Sequence, residues 1–338
     1  MRNKTIKNNP IQATKNVDLR EIVAKLRAAS SVAIATHVSP DGDAVGSMLA
    51  AANLLQKMGV PCTCLLENPT AHAYSWLPGS KSIVSPNEIP AYPDLILLLD
   101  APRRDRLGLV QDVLPQDATL VVLDHHVDDN PDGDMRLVDA SYAATGEIVA
   151  ELFDVARVPL DAEAALCLYV AIATDTGGFR YASTTARSHR LAARMIEHGV
   201  NAAEISQRCF DAMSQAKFSL MARILSRMQF LENTRLAYSE VYPSDLEETG
   251  AGAEDINNLI NLGRNVEGVQ VAILFRGLPD GTTKISVRAA PEFNALRLIV
   301  PFGGGGHVGA AGATLAMPLE QARDAVLDVA RRLLENSR

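Results

Sequence analysis

Apolar and polar positions repeat along this chain with two periods. Over 18–29, Leu19, Ile22, Val23 and Leu26 share one face of a 3.6-residue repeat, which predicts an amphipathic helix. The next apolar run, 31–35, is short and continuous and reads as a buried strand. A helix is predicted over 44–58, stopped by Gly59, and an alternating strand over 60–66. The runs at 94–99 and 120–123 are dominated by apolar residues, as expected of parallel strands covered on both faces. Helices follow at 146–156, 161–173 and 185–198. This alternation of strand and helix predicts an α/β domain built on a doubly wound parallel sheet for roughly residues 17–200.

A long helical segment is predicted at 215–230, bridging the two halves, with Phe218, Met221, Leu225 and Met228 as an interior stripe. Strands near 236–241, 269–275 and 284–289, with helices near 254–262, 293–300 and 319–334, describe a second, smaller α/β domain. The domain boundary is placed between about 205 and 232, and a cleft is expected between the two domains.

Composition narrows the class. With 338 residues, 47% hydrophobic and 21% charged, the chain suits two ordinary globular domains with sizeable cores. No apolar stretch reaches the roughly 18 residues that suggest a membrane span. Residues 1–16 are polar and basic without an apolar stretch, so they read as a frayed tail rather than a secretory signal. Cys62, Cys64, Cys167 and Cys209 sit in apolar surroundings and read as core thiols, which points to the reducing cytoplasm. A net charge of −8 argues against coating long nucleic acids but allows a short nucleotide substrate.

The candidate chemistry lies where apolar runs end. Thr36-His37-Val38-Ser39-Pro40-Asp41-Gly42-Asp43 follows the first strand, Asp100 follows 95–99, Asp124-His125-His126 follows 119–123, and Asp175 follows 170–174. Hard oxygen and imidazole ligands at four such places form the ligand set of a binuclear divalent-metal centre, so the sequence reads as a metal-dependent phosphoryl hydrolase. Pro40 and Gly42 bend the chain so that Asp41 and Asp43 can face different metals, although Pro-Asp-Gly is also a common turn. Gly46 and Ser47 are expected to open a helix whose amides accept a phosphate oxygen. Asp100 is assigned as the carboxylate bridging two cations. Two adjacent histidines after a buried strand cannot both point inward. One of His125 and His126 can ligate while the other faces the substrate phosphate, with Asp124 orienting a histidine. Asp175 completes the ligand count, and Arg180 is available for a phosphate. Oxygen-rich ligands suit manganese or magnesium.

Among the remaining candidates, Arg106 is the best anion contact of Arg103, Arg104 and Arg106. His72, His189 and His198 read as surface or structural residues. Trp76 reads as a buried anchor, with base stacking as the alternative. In the second domain, Gly303-Gly304-Gly305-Gly306-His307 makes sense where backbone approaches a ligand closely, with His307 and Arg288 adding side-chain contacts.

With these residues in view, the chain resembles the DHH phosphoesterase superfamily, and within it the bifunctional oligoribonuclease/pAp phosphatase group. The strings THVSPDGDAVGS, LLLD, LDHH, ATDTGGFRY and GGGGHVGAAGA occur in the family's order, over nearly the whole chain after residue 17. The resemblance implies a catalytic domain at 17–205 binding two Mn²⁺ ions, a helical linker at 206–232, and a DHH-associated substrate-binding domain at 233–338. It implies that His37, Asp41 and Asp100 bind one metal, and that Asp43, Asp100, His125 and Asp175 bind the other. His126 would then sit near the scissile phosphate, with Asp100, Asp124 and His126 as the catalytic set. Arg288 and the loop containing Gly304, Gly305, Gly306 and His307 would hold the nucleotide. Ala289 and Val308 depart from the family, whose members often carry a serine and a basic or polar residue there. The implied substrates are short oligoribonucleotides, linear dinucleotides and 3′-phosphoadenosine 5′-phosphate (pAp), with no long duplex and no membrane as partner. The sequence leaves homodimer formation open. Alternatives are a manganese pyrophosphatase, against which the GGGGH segment speaks, a cyclic-dinucleotide phosphodiesterase, and a non-enzymatic RNA-binding module.

Overall fold

The computed structural model describes residues 16–69, 73–89, 93–256 and 258–335. The expected N-terminal tail up to residue 15 and the surface reading of His72 lie outside them. The chain divides into two compact units, one ending at Ala212 and the other beginning at Met213.

The first unit runs α1 (Leu19–Ala28), β1 (Val32–Ala35), α2 (Gly42–Lys57), β2 (Cys62–Leu65), β3 (Leu95–Leu99), α3 (Val110–Val113), β4 (Thr119–Asp124), β5 (Met135–Val138), α4 (Thr145–Ala156), α5 (Ala162–Asp175), α6 (Ala186–Glu197) and α7 (Ala202–Ser206). Its five strands are all parallel, in the order β2-β1-β3-β4-β5. The uninterrupted apolar strands are explained by burial on both faces. Val32, Ile34, Leu97, Leu99, Val121 and Leu123 pack in the helix-rich layer. Ala33, Ala35, Ile96, Leu98 and Val122 pack with Leu107, Val110 and Leu114 on the other side. β1 lies between β2 and β3, so the strand order reverses there. The carboxyl ends of β1 and β3 flank the crevice where open α/β sheets bind ligands.

The second unit holds α8 (Gln215–Ser226), β6 (Gln229–Leu231), β7 (Leu236–Val241), α9 (Pro243–Thr249), α10 (Asn261–Arg264), β8 (Val271–Gly277), β9 (Thr283–Ala289), α11 (Ala295–Ile299), β10 (Gly305–Gly306), β11 (Ala310–Leu315) and α12 (Leu319–Glu335). The sheet order is β10-β11-β9-β8-β7-β6, antiparallel except where β7 meets β8. One face buries Ile273, Phe275 and Val287 with Leu298, Val326 and Ala330. The other buries Ala272 and Leu274 with Leu220, Ile224 and Ile260.

Two sequence expectations are corrected here. α8 stops at Ser226 and turns its Leu220–Ile224 stripe into the core. Phe218 and Leu225, expected inside, are 58% and 46% exposed. The helix carries two apolar stripes, and the sheet it packs against selects one. The helix predicted over 254–262 is a single 3₁₀ turn, Glu254–Ile256, followed by the short α10. Asn258, at φ 67°, breaks the helical path between them. The segment 206–232 divides at Ala212, and α8 packs within the second unit. Among the described residues no helix is long and apolar enough to cross a membrane. All four cysteines are free, with Cys64 and Cys167 buried.

Candidate metal centre

The chain leaves β1 through Thr36 and His37 and enters α2 at Gly42, with Asp41 as its N-cap. One Asp41 oxygen accepts the Ala44 N–H at 3.1 Å, a geometry that stabilises a helix start. Asp43, in the first turn, is fully buried. Its two oxygens accept hydrogen bonds from the Thr145 N–H (2.6 Å), the Gly146 N–H (2.8 Å) and the Ser47 hydroxyl (2.8 Å). The first backbone amides of α4, at its positive end, therefore aim at this carboxylate.

This arrangement corrects the reading of Gly46 and Ser47 as a phosphate-binding helix start. Both are buried within α2. Ser47 is spent on Asp43, and Gly46 serves a close approach. A Cβ at Gly46 would lie 2.4 Å from the Cys167 carbonyl oxygen, so glycine lets α2 lie against α5.

Asp100 follows β3 with left-handed backbone, φ 55°, and is 2% exposed. Non-glycine residues rarely sit there, and aspartate is one of those that tolerate it. The Thr145 hydroxyl donates to its Oδ1 at 3.1 Å. His37 Nε2 stands 3.4 Å from its Oδ2 and His125 Nε2 3.5 Å from its Oδ1. His125 Nε2 also lies 3.1 Å from Asp175, at the end of α5, and 3.7 Å from Asp43. Asp124 closes β4 and organises the loop after it. Its Oδ1 accepts the N–H of His125 at 2.9 Å and of His126 at 3.3 Å, and sits 2.8 Å from His126 Nδ1. Among the described residues, three sets of donor atoms fall within 4.8 Å of one another: His37, Asp41 and Asp100; Asp43, His125 and Asp175; Asp100, His125 and His126.

The electrostatics favour a positive counter-charge or bound protons. Burial, then the charge of Asp100, pushes the Asp43 carboxyl well above the usual carboxylate range. Burial, then Asp41, does the same to Asp100. Burial alone would lower the His125 pKa, but the Asp175 carboxylate 3.1 Å from Nε2 and the Asp43 charge outweigh it and raise it to about 10. His126 is raised chiefly by its hydrogen bond to Asp124. Such a cluster binds protons when nothing else balances it, and divalent cations can displace them. His125 Nε2 and Asp124 Oδ2 are buried without a hydrogen-bond partner. An orphaned imidazole nitrogen among converging carboxylates fits a hard divalent cation.

The other candidates fall elsewhere. Arg106 is exposed, but its carbonyl accepts the Val38 N–H at 2.9 Å, which ties its loop to the one carrying His37. Arg103 pairs with Asp105 and Asp128, and Arg104 donates to the Pro115 carbonyl. Arg180 is exposed, donates to the Gly177 carbonyl at 2.6 Å and lies over Phe210. In the second unit, β11 joins the remaining candidates: Ala310 pairs with Arg288, while Gly305 and Gly306 pair with Gly312 and Ala311. Gly304 lies just ahead of β10. His307 is exposed, and its N–H donates to the Ala310 carbonyl at 2.7 Å. His189 stacks on Phe179 and His198 caps α6 through Arg194. Trp76 is half-buried beneath the Arg208 guanidinium. Sequence reasoning missed Thr145 and the Gly146 amide. The available signal was a threonine and glycine opening an apolar helix, which any helix start can show.

Comparison with known proteins adds lineage to this geometry. Residues 31–172 match the family model described as DHH family, N-terminal domain, and residues 233–336 match the DHHA1 domain. The chain is 34% identical over 303 residues to the bifunctional oligoribonuclease and PAP phosphatase of Thermus thermophilus, covering 89% of each chain. A crystal structure of an exopolyphosphatase-related protein from Bacteroides fragilis superposes with a TM-score of 0.84 at 24% identity, covering 94% of this chain and 96% of that one. RecJ from Thermus thermophilus in complex with Mn²⁺ superposes with a TM-score of 0.55 at 15% identity, covering 95% of this chain and 56% of that one.

Proposed function

This chain belongs to the DHH phosphoesterase family, and on that premise we propose that it hydrolyses short oligoribonucleotides to mononucleotides and removes the 3′-phosphate of pAp to leave AMP. The observation that carries the reading is the convergence of His37, Asp41, Asp43, Asp100, His125 and Asp175 in two donor triads at one rim of a parallel sheet, linked by a third triad of Asp100, His125 and His126. The relative from Thermus thermophilus bears the name of this pair of activities.

In this reading His37, Asp41 and Asp100 would hold one divalent ion, and Asp43, Asp100, His125 and Asp175 would hold a second. Manganese is the favoured ion and magnesium the alternative, on donor chemistry. Such ions would supply Lewis-acid stabilisation of the phosphoryl group and promote ionisation of the attacking water. Thr145 fixes the Asp100 carboxylate and the α4 amides fix Asp43, so both are oriented before substrate arrives. His126, held through Nδ1 by Asp124, keeps Nε2 for proton exchange with the departing ribose oxygen. Arg106, Arg180, Arg288 and Gly304–His307 are assigned to substrate contact. The four free cysteines support a cytoplasmic setting.

Purified protein with Mn²⁺ should hydrolyse ribonucleotide dimers to pentamers and pAp, with pyrophosphate and cyclic dinucleotides much slower and a chelator abolishing turnover. Initial rates that favour pyrophosphate or cyclic dinucleotides would overturn the substrate assignment.

A further inference from the structure

We infer that a cavity beside His37 in the first unit is a nucleobase pocket that prefers guanine, an inference that rests on the proposed nucleotide chemistry and extends it to base choice. The cavity, about 430 Å³, opens beyond the carboxyl ends of β1 and β2 and is lined by the 36–40 and 66–68 segments together with Leu107 and Leu109. That volume is within the range of about 300–1,000 Å³ typical of small-ligand sites.

Its walls are apolar where a flat ring would lie, with Val38, Leu66, Leu107 and Leu109 contributing. Hydrogen-bonding groups stand where a base edge would end. The Thr36 hydroxyl is buried without a partner and its residue lines the cavity. Leaving a buried hydroxyl unpaired is costly, so a ligand that satisfies it is favoured. Glu67 and Asn68 stand exposed at the cavity. Gly108, at φ +56°, lets the Glu67 carboxylate rest against backbone: a Cβ there would come within 2.1 Å of Glu67 Oε2. The Val38 N–H to Arg106 carbonyl bond ties the two walls together.

The carboxylate decides the ligand class. It repels phosphate, so the cavity suits the uncharged end of a nucleotide. A carboxylate only accepts hydrogen bonds, and its two oxygens match two parallel donors. Guanine presents N1–H and an amino N–H side by side on one edge. Adenine sets a lone acceptor nitrogen beside its amino group, which the carboxylate opposes. Because His37 also lines the cavity, a base seated there would place its own nucleotide's phosphate next to the metal-ligating rim.

The test compares wild type, Glu67→Ala and Leu109→Trp, the last filling the mouth. Hydrolysis of the dinucleotides pGpG, pApA and pUpU is measured with Mn²⁺, alongside the generic diester bis(p-nitrophenyl) phosphate. Guanosine and adenosine binding is measured calorimetrically without hydrolysis. Wild type should favour pGpG in kcat/KM and bind guanosine over adenosine. Both variants should lose that preference through a rise of about tenfold in KM for pGpG, with bis(p-nitrophenyl) phosphate turnover and melting temperature unchanged. Equal treatment of the three dinucleotides by wild type, or a guanine preference that survives both substitutions, overturns the pocket. Guanosine binding that depends on Glu67, in a protein that hydrolyses none of the substrates, would uphold the pocket and overturn the hydrolase reading instead.

Discussion

The proposed metal-binding rim of the first unit and the glycine hairpin of the second solve opposite problems. At the rim, Asp43 and Asp100 are almost fully buried, and donors from α2 and α4 fix them. At the hairpin, Gly305, Gly306 and His307 are exposed, and their order comes from pairing with β11 next door. Charges meant to act on a phosphoryl group must be desolvated and preoriented, and tight packing carries that cost. Groups proposed only to grip a substrate need reach and accessibility. Damage at the rim should therefore couple stability, metal binding and kcat, whereas damage at the hairpin should appear in KM alone.

The sharpest way to break this contrast is Asp100→Asn. Hydrolysis should fall by at least ~10³-fold, while the metal-free protein stays folded, because the change removes a buried charge that its neighbours oppose. Mn²⁺ should raise the melting temperature of wild type, with stabilisation of about 2.7 kcal/mol expected at one hundred times Kd, and barely raise that of the variant. Thermal melts with and without Mn²⁺ decide it, and near-normal turnover by folded variant would remove the bridging role.

Gly46→Ala tests whether packing carries the rim. The added methyl must push α2 from α5, so a loss of about 1–3 kcal/mol in urea unfolding is expected, together with weaker Mn²⁺ binding in titration. At the other region, His307→Ala should raise KM for a dinucleotide about tenfold and leave kcat and the urea midpoint where they were. A fall in kcat without a change in KM would mean that the hairpin takes part in chemistry.

The smallest effect contrasts a buried carboxylate paired with arginines with those of the rim, which face histidines and neutral donors. Burial would raise the Asp245 pKa, but hydrogen bonds from Arg227, the Tyr242 N–H and Arg223 outweigh it and hold it below the usual range. Its folded pKa is thus depressed, so its stabilisation is complete above about pH 5 and is lost as pH falls through the folded value. Urea midpoints between pH 3 and 6 should drop less steeply in Asp245→Asn than in wild type.

Much of this was legible beforehand because it is local. The strands at 95–99 and 119–123 announce themselves by uninterrupted apolar side chains, and an acid directly behind such a run sits at a strand end whatever the topology. Phe218 and Leu225 were misplaced because their helix offers two apolar stripes, and nothing local says which one the sheet covers. β10 and β11 escaped notice because glycine and alanine carry no alternation, so their pairing is a property of the neighbouring β9 strand.

By itself the sequence determined the identity of the candidate ligating groups and their places at the ends of buried elements, since side-chain chemistry and the periods of helix and strand are short-range. Only the tertiary structure decided that Thr145 would hold Asp100, that the α4 amides would hold Asp43, and that glycine at 46 was there for a neighbouring carbonyl. Those contacts join residues separated by up to 121 positions (Gly46 and Cys167). A hydrogen bond or a close approach across such a span exists only once the sheet and its helices have packed.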